Sequence, residues 1–154
     1  MNELDAAQGG DHDPTGHSNK PGRSETARLY LAVALGSTAG GLLRWLVGEG
    51  FHELGLSSIW GILFANGTGS FVIGLYAALT GPNGRLRAGP AQRLCVMTGF
   101  CGGYTTFSAF SLETVRLYAS GAETMALIHI GLSIVTWLAA VAFGFRLGRR
   151  FNRA

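Results

Sequence analysis

Four long apolar stretches, separated by short polar interruptions, take up most of this chain. They run from about Leu29 to Val47, Ile59 to Leu79, Leu94 to Tyr118 and Met125 to Phe145. Each is close to or above the roughly 20 residues that an α-helix needs to cross a hydrocarbon core. The pattern predicts an all-α membrane protein with four transmembrane helices and leaves no room for a soluble catalytic domain. It divides the chain into a tail over 1–26, a four-helix membrane domain over 27–150 and a short C-terminal tail over 151–154.

The third stretch is unlike the others. Gly99-Phe-Cys-Gly-Gly-Tyr-Thr-Thr-Phe-Ser-Ala-Phe-Ser-Leu-Glu113 sets adjacent glycines and several hydroxyl side chains in the middle of an apolar run. Within a bilayer every backbone N–H and C=O must find a partner inside the protein, so non-helical backbone survives there only where it lines a cavity or holds an ion. A break of the third helix at mid-membrane is therefore expected. Phe107 and Phe110, spaced i and i+3, project from one helical face beyond it. Together with Thr106 and Ser108 they read as the wall of a pore beside an ion site.

Composition agrees with a membrane protein. Only 14% of residues are charged and the mean hydropathy is +0.26, whereas soluble domains carry about 25% charge. The 24 glycines suit close helix packing, as in Gly36-Ser-Thr-Ala-Gly40 and along Gly67, Gly69 and Gly74. Gly67 and Gly69 do not make a dinucleotide fingerprint, because Val72 stands where its third glycine is required. The first residues, to about Ser24, have almost nothing to bury and read as a disordered tail. His12, Asp13 and His17 in that tail offer metal-binding side chains, although a solvated segment explains them as well. No signal peptide is evident. Cys95 and Cys101, six positions apart on one helix, point to different faces and read as small apolar fillers.

Positive charge marks the cytoplasmic side of membrane loops. With four spans, Lys20, Arg23, Arg28, Arg85, Arg87, Arg93, Arg146, Arg149, Arg150 and Arg153 share one side, which predicts both termini in the cytoplasm. Glu49, Glu53 and Glu123 fall on the other side, with only Arg44 and Arg116 of the basic residues near it. The net charge of +3 thus follows from topology and gives no sign of nucleic-acid binding.

Polar groups inside spans are functional candidates by default. Arg44 in Gly40-Gly-Leu-Leu-Arg44-Trp45 has two open readings: a snorkelling arginine beside an interfacial tryptophan, or an electropositive vestibule for an anion. Asn66, in a stretch with Thr68 and Ser70, either bonds to a neighbouring helix or directs donors into a cavity for a small anion that sheds its water. The Phe107 and Phe110 rings are either core packing or anion-facing, since the ring edge is positive. His129 and Ser133, one turn apart, either continue a polar stripe or make a packing hydrogen bond.

Together these segments resemble the Fluc/CrcB family of fluoride channels over nearly the whole chain from about Leu29. The landmarks are Gly40-Gly-x-x-Arg44-Trp45, Asn66-x-Thr-Gly-Ser70 and, most specific, Gly99 through Thr114. The resemblance implies an antiparallel dimer of four-helix subunits with two narrow fluoride pores at the subunit interface. It implies that Phe107 and Phe110 are the paired pore phenylalanines, Asn66 the pore asparagine and Arg44 the vestibule arginine. It further implies a structural, non-transported Na+ held by the backbone carbonyls of Gly102 and Thr105, four oxygens when doubled by a two-fold axis. Ser133 matches the polar-track serine; His129 stands where some members have tyrosine, and Trp137 where a second serine can stand.

The expected activity is passive, fluoride-selective export across the cytoplasmic membrane, with the lipid bilayer and a second subunit, self or paralogue, as partners. The charge bias leans towards a paralogue. One rival, a small four-helix multidrug exporter, needs a membrane-embedded carboxylate in the first helix, where only Arg44 is found. The other, a non-conducting membrane subunit, accounts for the glycines but not for the asparagine and threonine–phenylalanine motifs. No spacing pairs a nucleophile with a base or assembles a metal triad, so no enzyme is expected.

Overall fold

Helix α1 covers Arg23–Glu53 and α2 covers Ser58–Leu79. A composite rod follows, made of α3 (Pro90–Arg93), a π-helical segment (Leu94–Cys101) and α4 (Gly102–Tyr104). After Thr105 and Thr106 come α5 (Phe107–Ala119) and α6 (Glu123–Arg153). This computed structural model describes residues 22–82 and 84–153. The described residues are all helical or connecting, with no strand. The expected tail lies largely outside them, as do His12, Asp13, His17 and Lys20. Helix α1 already begins at Arg23 and α6 continues to Arg153, so ordered helix reaches into both stretches assigned to tails.

Helices α1, α2 and α6 are each long and apolar enough to cross a membrane. The remaining stretch is divided, as its composition demanded, but the division falls one step later than the glycines suggested. Gly102 is helical, with φ −66° and ψ −35°. Thr105 and Thr106 are the extended residues, at ψ 157° and ψ 122°. β-Branched threonine is well suited to extended backbone, whereas the glycines serve packing. A Cβ at Gly36 or Gly40 would strike the carbonyls of Cys95 or Phe100, and one at Gly103 would lie 2.5 Å from the Ser37 carbonyl. Backbone therefore meets backbone where α1 crosses the π-helical segment, the close approach that small residues permit in membranes. Gly74 against the Val141 carbonyl and Gly144 against the Phe71 carbonyl do the same for α2 and α6.

Local signals end the helices where expected. Ser57 caps α2 by accepting from the Ile59 N–H at 3.4 Å, and Pro90 opens α3, where its missing N–H costs nothing. Gly55 and Gly121, at φ 68° and 79°, turn the chain after α1 and α5 in a conformation that side chains resist.

The ends of the rods separate by charge. Arg85 donates to the Phe151 carbonyl at 3.0 Å, and Asn152 donates to the Ala78 carbonyl at 2.8 Å. Arg93 reaches the Thr80 carbonyl at 2.6 Å. These bonds tie the C-terminal ends of α2 and α6 to the loop before α3 and to Arg93 at its end, gathering the arginines at one end. At the other end Glu49 and His52 of α1 share a cavity with Ser58 of α2 and Glu113 of α5. Much of the outer surface is apolar, with Leu31, Leu35, Trp45, Val135 and Leu138 exposed, as lipid contact requires.

Candidate functional site

The interruption at Thr105–Thr106 is stitched to the middle of α2. Asn66 is buried and pairs with Thr106 twice: Nδ2 donates to the Thr106 carbonyl at 2.9 Å, and the Thr106 N–H donates to Oδ1 at 2.7 Å. The donor–acceptor pattern of the Thr106 backbone fixes which way the amide points. Thr106 Oγ1 in turn accepts from the Ala109 N–H at 3.1 Å, capping α5, and lies 3.2 Å from Ser108 Oγ.

These bonds have a consequence for two carbonyls. In an unbroken helix Gly102 C=O would receive the Thr106 N–H, and Thr105 C=O would receive the Ala109 N–H. Both donors are diverted, one to Asn66 and the other to the Thr106 hydroxyl. Gly102 is exposed on the subunit, with open space where a side chain would stand. Two hard oxygen acceptors are thereby left without their helical partners, which is the donor chemistry an alkali cation prefers. The described residues contain no cluster of three or more histidine, cysteine, aspartate or glutamate side chains able to hold a metal.

On the other side of the break the two phenylalanines part company. Phe107 is 72% exposed and Phe110 only 6%, although their ring centroids are 5.5 Å apart. The Phe110 ring lies 5.0 Å from His129 and 5.0 Å from Trp137, the latter edge-on at 75°. His129, Ser133 and Trp137 are spaced i, i+4 and i+8 on α6 and make one stripe. His129 Nε2, Ser133 Oγ and Trp137 Nε1 are all buried without a hydrogen-bond partner. Leaving a buried polar atom unpaired costs about 1–3 kcal/mol, so the three atoms are unused hydrogen-bonding capacity along one face of α6.

A cavity of about 210 Å³ is lined by Asn66, Ser70, Thr105, Thr106, Phe107 and Trp137; Ser108, Phe110, His129 and Ser133 are not among its walls. Asn66 thus bonds to the break through both atoms of its amide and is also among the walls of a cavity. Thr68 does not join it: its hydroxyl donates to the Phe64 carbonyl at 2.7 Å and lies 2.9 Å from Tyr104 Oη, fastening α2 to α4. A second cavity of about 450 Å³ opens at the acidic end and reaches Thr106, with Arg44, Trp45, His52 and Glu113 among its walls. Arg44 Nε donates to the Gly103 carbonyl at 3.2 Å, so its charge is held beside the break. Glu113 is paired with Arg116 at 2.8 Å.

The family model described as CrcB-like protein, Camphor Resistance (CrcB), matches residues 31–145. The chain belongs to the CrcB family. It is 51% identical over 131 residues to a protein of Bradyrhizobium diazoefficiens named fluoride-specific ion channel FluC 1, covering 85% of this chain and 92% of that one. It is 52% identical to a FluC 1 of Rhodopseudomonas palustris, over 84% and 92% of the two chains. It is 42% identical to a FluC 3 of Brucella abortus, over 85% and 96%. CrcB membership covers all the residues of the candidate site. In this CrcB protein the residue that sequence reasoning undervalued is Trp137. An indole reads as apolar bulk in a membrane helix, yet its spacing from His129 and Ser133 was the signal that its N–H shares their stripe.

Proposed function

We propose that the protein is a passive, fluoride-selective channel of the cytoplasmic membrane. The observation that carries this reading is the stripe of unpartnered polar atoms on His129, Ser133 and Trp137 beside the Phe110 ring. A small anion that leaves water needs replacement donors, and the serine hydroxyl and indole N–H offer them. Aromatic ring edges add a positive rim without a fixed charge that would trap the ion, and conduction requires binding weak enough to release. Phe107 and Phe110 line the path with Asn66, Thr106, Ser108 and Ser133, and Arg44 sets a positive charge in the vestibule alongside Glu49 and the paired Glu113.

The functional unit is an antiparallel dimer, which accounts for an exposed Phe107 and for bare Gly102 backbone on the subunit surface. The carbonyls of Gly102 and Thr105 from both subunits hold a structural Na+, which supplies the positive charge that replaces the diverted helical donors. The second subunit is a copy of this chain or, given the charge bias, a paralogue of opposite bias. Hydrogen fluoride enters cells as a neutral weak acid and ionises in a more alkaline cytoplasm. The channel lets a negative-inside potential, about 2.3 kcal/mol per charge per 100 mV, drive the anion out. Neither ATP nor a coupling carboxylate is needed, and Glu113 is already neutralised by Arg116.

Fluoride efflux from liposomes containing the purified protein tests this directly, with chloride efflux measured alongside. Fluoride release with little chloride release is the expected result; chloride release without fluoride release overturns the assignment.

A further inference from the structure

At the arginine-rich end, α2 and α6 leave a cavity of about 620 Å³ whose walls include Arg93, Arg149, Arg153 and Phe145. Among the described residues no carboxylate lines it. The ion pair found among the described residues, Arg116 with Glu113, lies at the opposite end of the molecule. Arg93 is held in place by its bond to the Thr80 carbonyl at 2.6 Å, which leaves its remaining N–H donors free to turn inward. Arg149 and Arg153 stand one turn apart on α6 and are exposed.

A second cavity of about 380 Å³ adjoins the first, sharing Ala77 and Phe145 with it. It continues along the same two helices past Ile73, Gly74, Val141 and Ala142, all apolar. Ile73 and Ala77 on α2, like Val141 and Phe145 on α6, are spaced i and i+4, so this furrow follows the helix axes towards the bilayer centre. A basic chamber at the helix ends thus opens into an apolar trough that rises into the membrane.

We propose that this furrow binds an anionic phospholipid, with the phosphate among Arg93, Arg149 and Arg153 and an acyl chain along Ile73 and Val141. Guanidinium forks match phosphate oxygens in geometry as well as charge, and basic pockets between membrane helices are suited to anionic headgroups. A free phosphate ion uses the chamber but gains nothing from the trough. The attached trough is what selects a lipid. This site is separate from the candidate anion path and does not depend on the fluoride reading.

The test is lipid retention by the full-length protein after incubation with vesicles of equal parts phosphatidylglycerol and phosphatidylcholine, read by native mass spectrometry. The wild-type protein should retain phosphatidylglycerol at least about tenfold over phosphatidylcholine. The pair Arg149→Gln with Arg153→Gln should abolish that preference, and the pair Arg149→Lys with Arg153→Lys should keep part of it. Ala142→Trp, which fills the trough and leaves the arginines intact, should expel the lipid, with an unchanged melting temperature showing that the fold survives. Inorganic phosphate in excess should displace little lipid. Equal retention of both lipids, or binding of inorganic phosphate that Ala142→Trp leaves unaltered while lipid is not retained, overturns the proposal.

Discussion

Asn66 and Thr106 hold each other by two reciprocal hydrogen bonds, 2.9 Å and 2.7 Å long, across forty positions of sequence. The pairing copies a rung of a β-ladder inside a helical protein, and it both permits the break and strips Gly102 C=O of its helical donor. Asn66→Leu keeps the volume and removes both bonds. It leaves the Thr106 N–H and C=O unsatisfied at roughly 1–3 kcal/mol each, so the melting temperature in detergent should fall and fluoride flux should be lost. Asn66→Asp retains the acceptor for the Thr106 N–H but sets an acidic oxygen against the Thr106 carbonyl. It should cost less stability and abolish flux equally. Full flux in the aspartate variant would remove the amide from the path.

The ring pair separates packing from permeation because its members differ in burial. Phe107 is 72% exposed on the subunit, so Phe107→Ile should leave subunit stability nearly unchanged while slowing fluoride efflux by about tenfold or more, the aliphatic chain having no positive edge. Phe110 packs against His129 and Trp137, so Phe110→Ile should lower both flux and stability. Unchanged flux in both variants would return the pair to ordinary packing.

Trp137 Nε1 is a donor with no acceptor in the subunit, and an indole N–H can only donate. Trp137→Phe keeps most of the edge-on packing on Phe110 and removes that donor. Fluoride flux should fall severalfold with little change in melting temperature. A fall in stability without a fall in flux would make the residue a packing element alone.

How much of this was legible in the chain differs from residue to residue. The helices were, because long apolar runs in a membrane leave backbone few alternatives to helix. The break is legible as Gly102-Gly103-x-Thr105-Thr106, and the structure narrows it to the two threonines. Glycine tolerates helix when a neighbour needs its missing side chain, and Ser37 of α1 needs that at Gly103. Thr68 and Asn66 look alike as polar groups on α2, yet two positions rotate a helical side chain by more than half a turn, which sends one to Tyr104 and the other to Thr106. Nor does spacing alone distinguish Phe107 from Phe110. Their difference in burial depends on where α6 lies, and that tertiary fact shows in neither residue.

The carbonyls of Gly102 and Thr105 are predicted to need a cation. Their helical donors are engaged elsewhere, and in the proposed dimer loss of the ion would leave each of these oxygens unpaired at roughly 1–3 kcal/mol. Exhaustive replacement of Na+ by a large organic cation should therefore abolish fluoride flux and lower the melting temperature, with both restored on return of Na+. Full flux without Na+ would argue against a required ion.

The last prediction concerns orientation. Helix ends tied by Arg85, Arg93 and Asn152 bring Arg146, Arg149, Arg150 and Arg153 to the same end as the start of α1, while Glu49 and Glu113 share the opposite end. A bias of this size should fix how the chain inserts, and an antiparallel homodimer needs one sequence inserted both ways. Either the bias is overridden during insertion, or the protein pairs with a relative of reversed bias; the gathering of arginines favours the relative. Cys95 and Cys101 are both free thiols, so labelling is best done in a Cys95→Ala, Cys101→Ala background carrying Ser18→Cys in the N-terminal tail. Impermeant maleimide should label that tail from the cytoplasmic side alone. Equal labelling from both sides would make it a dual-topology homodimer.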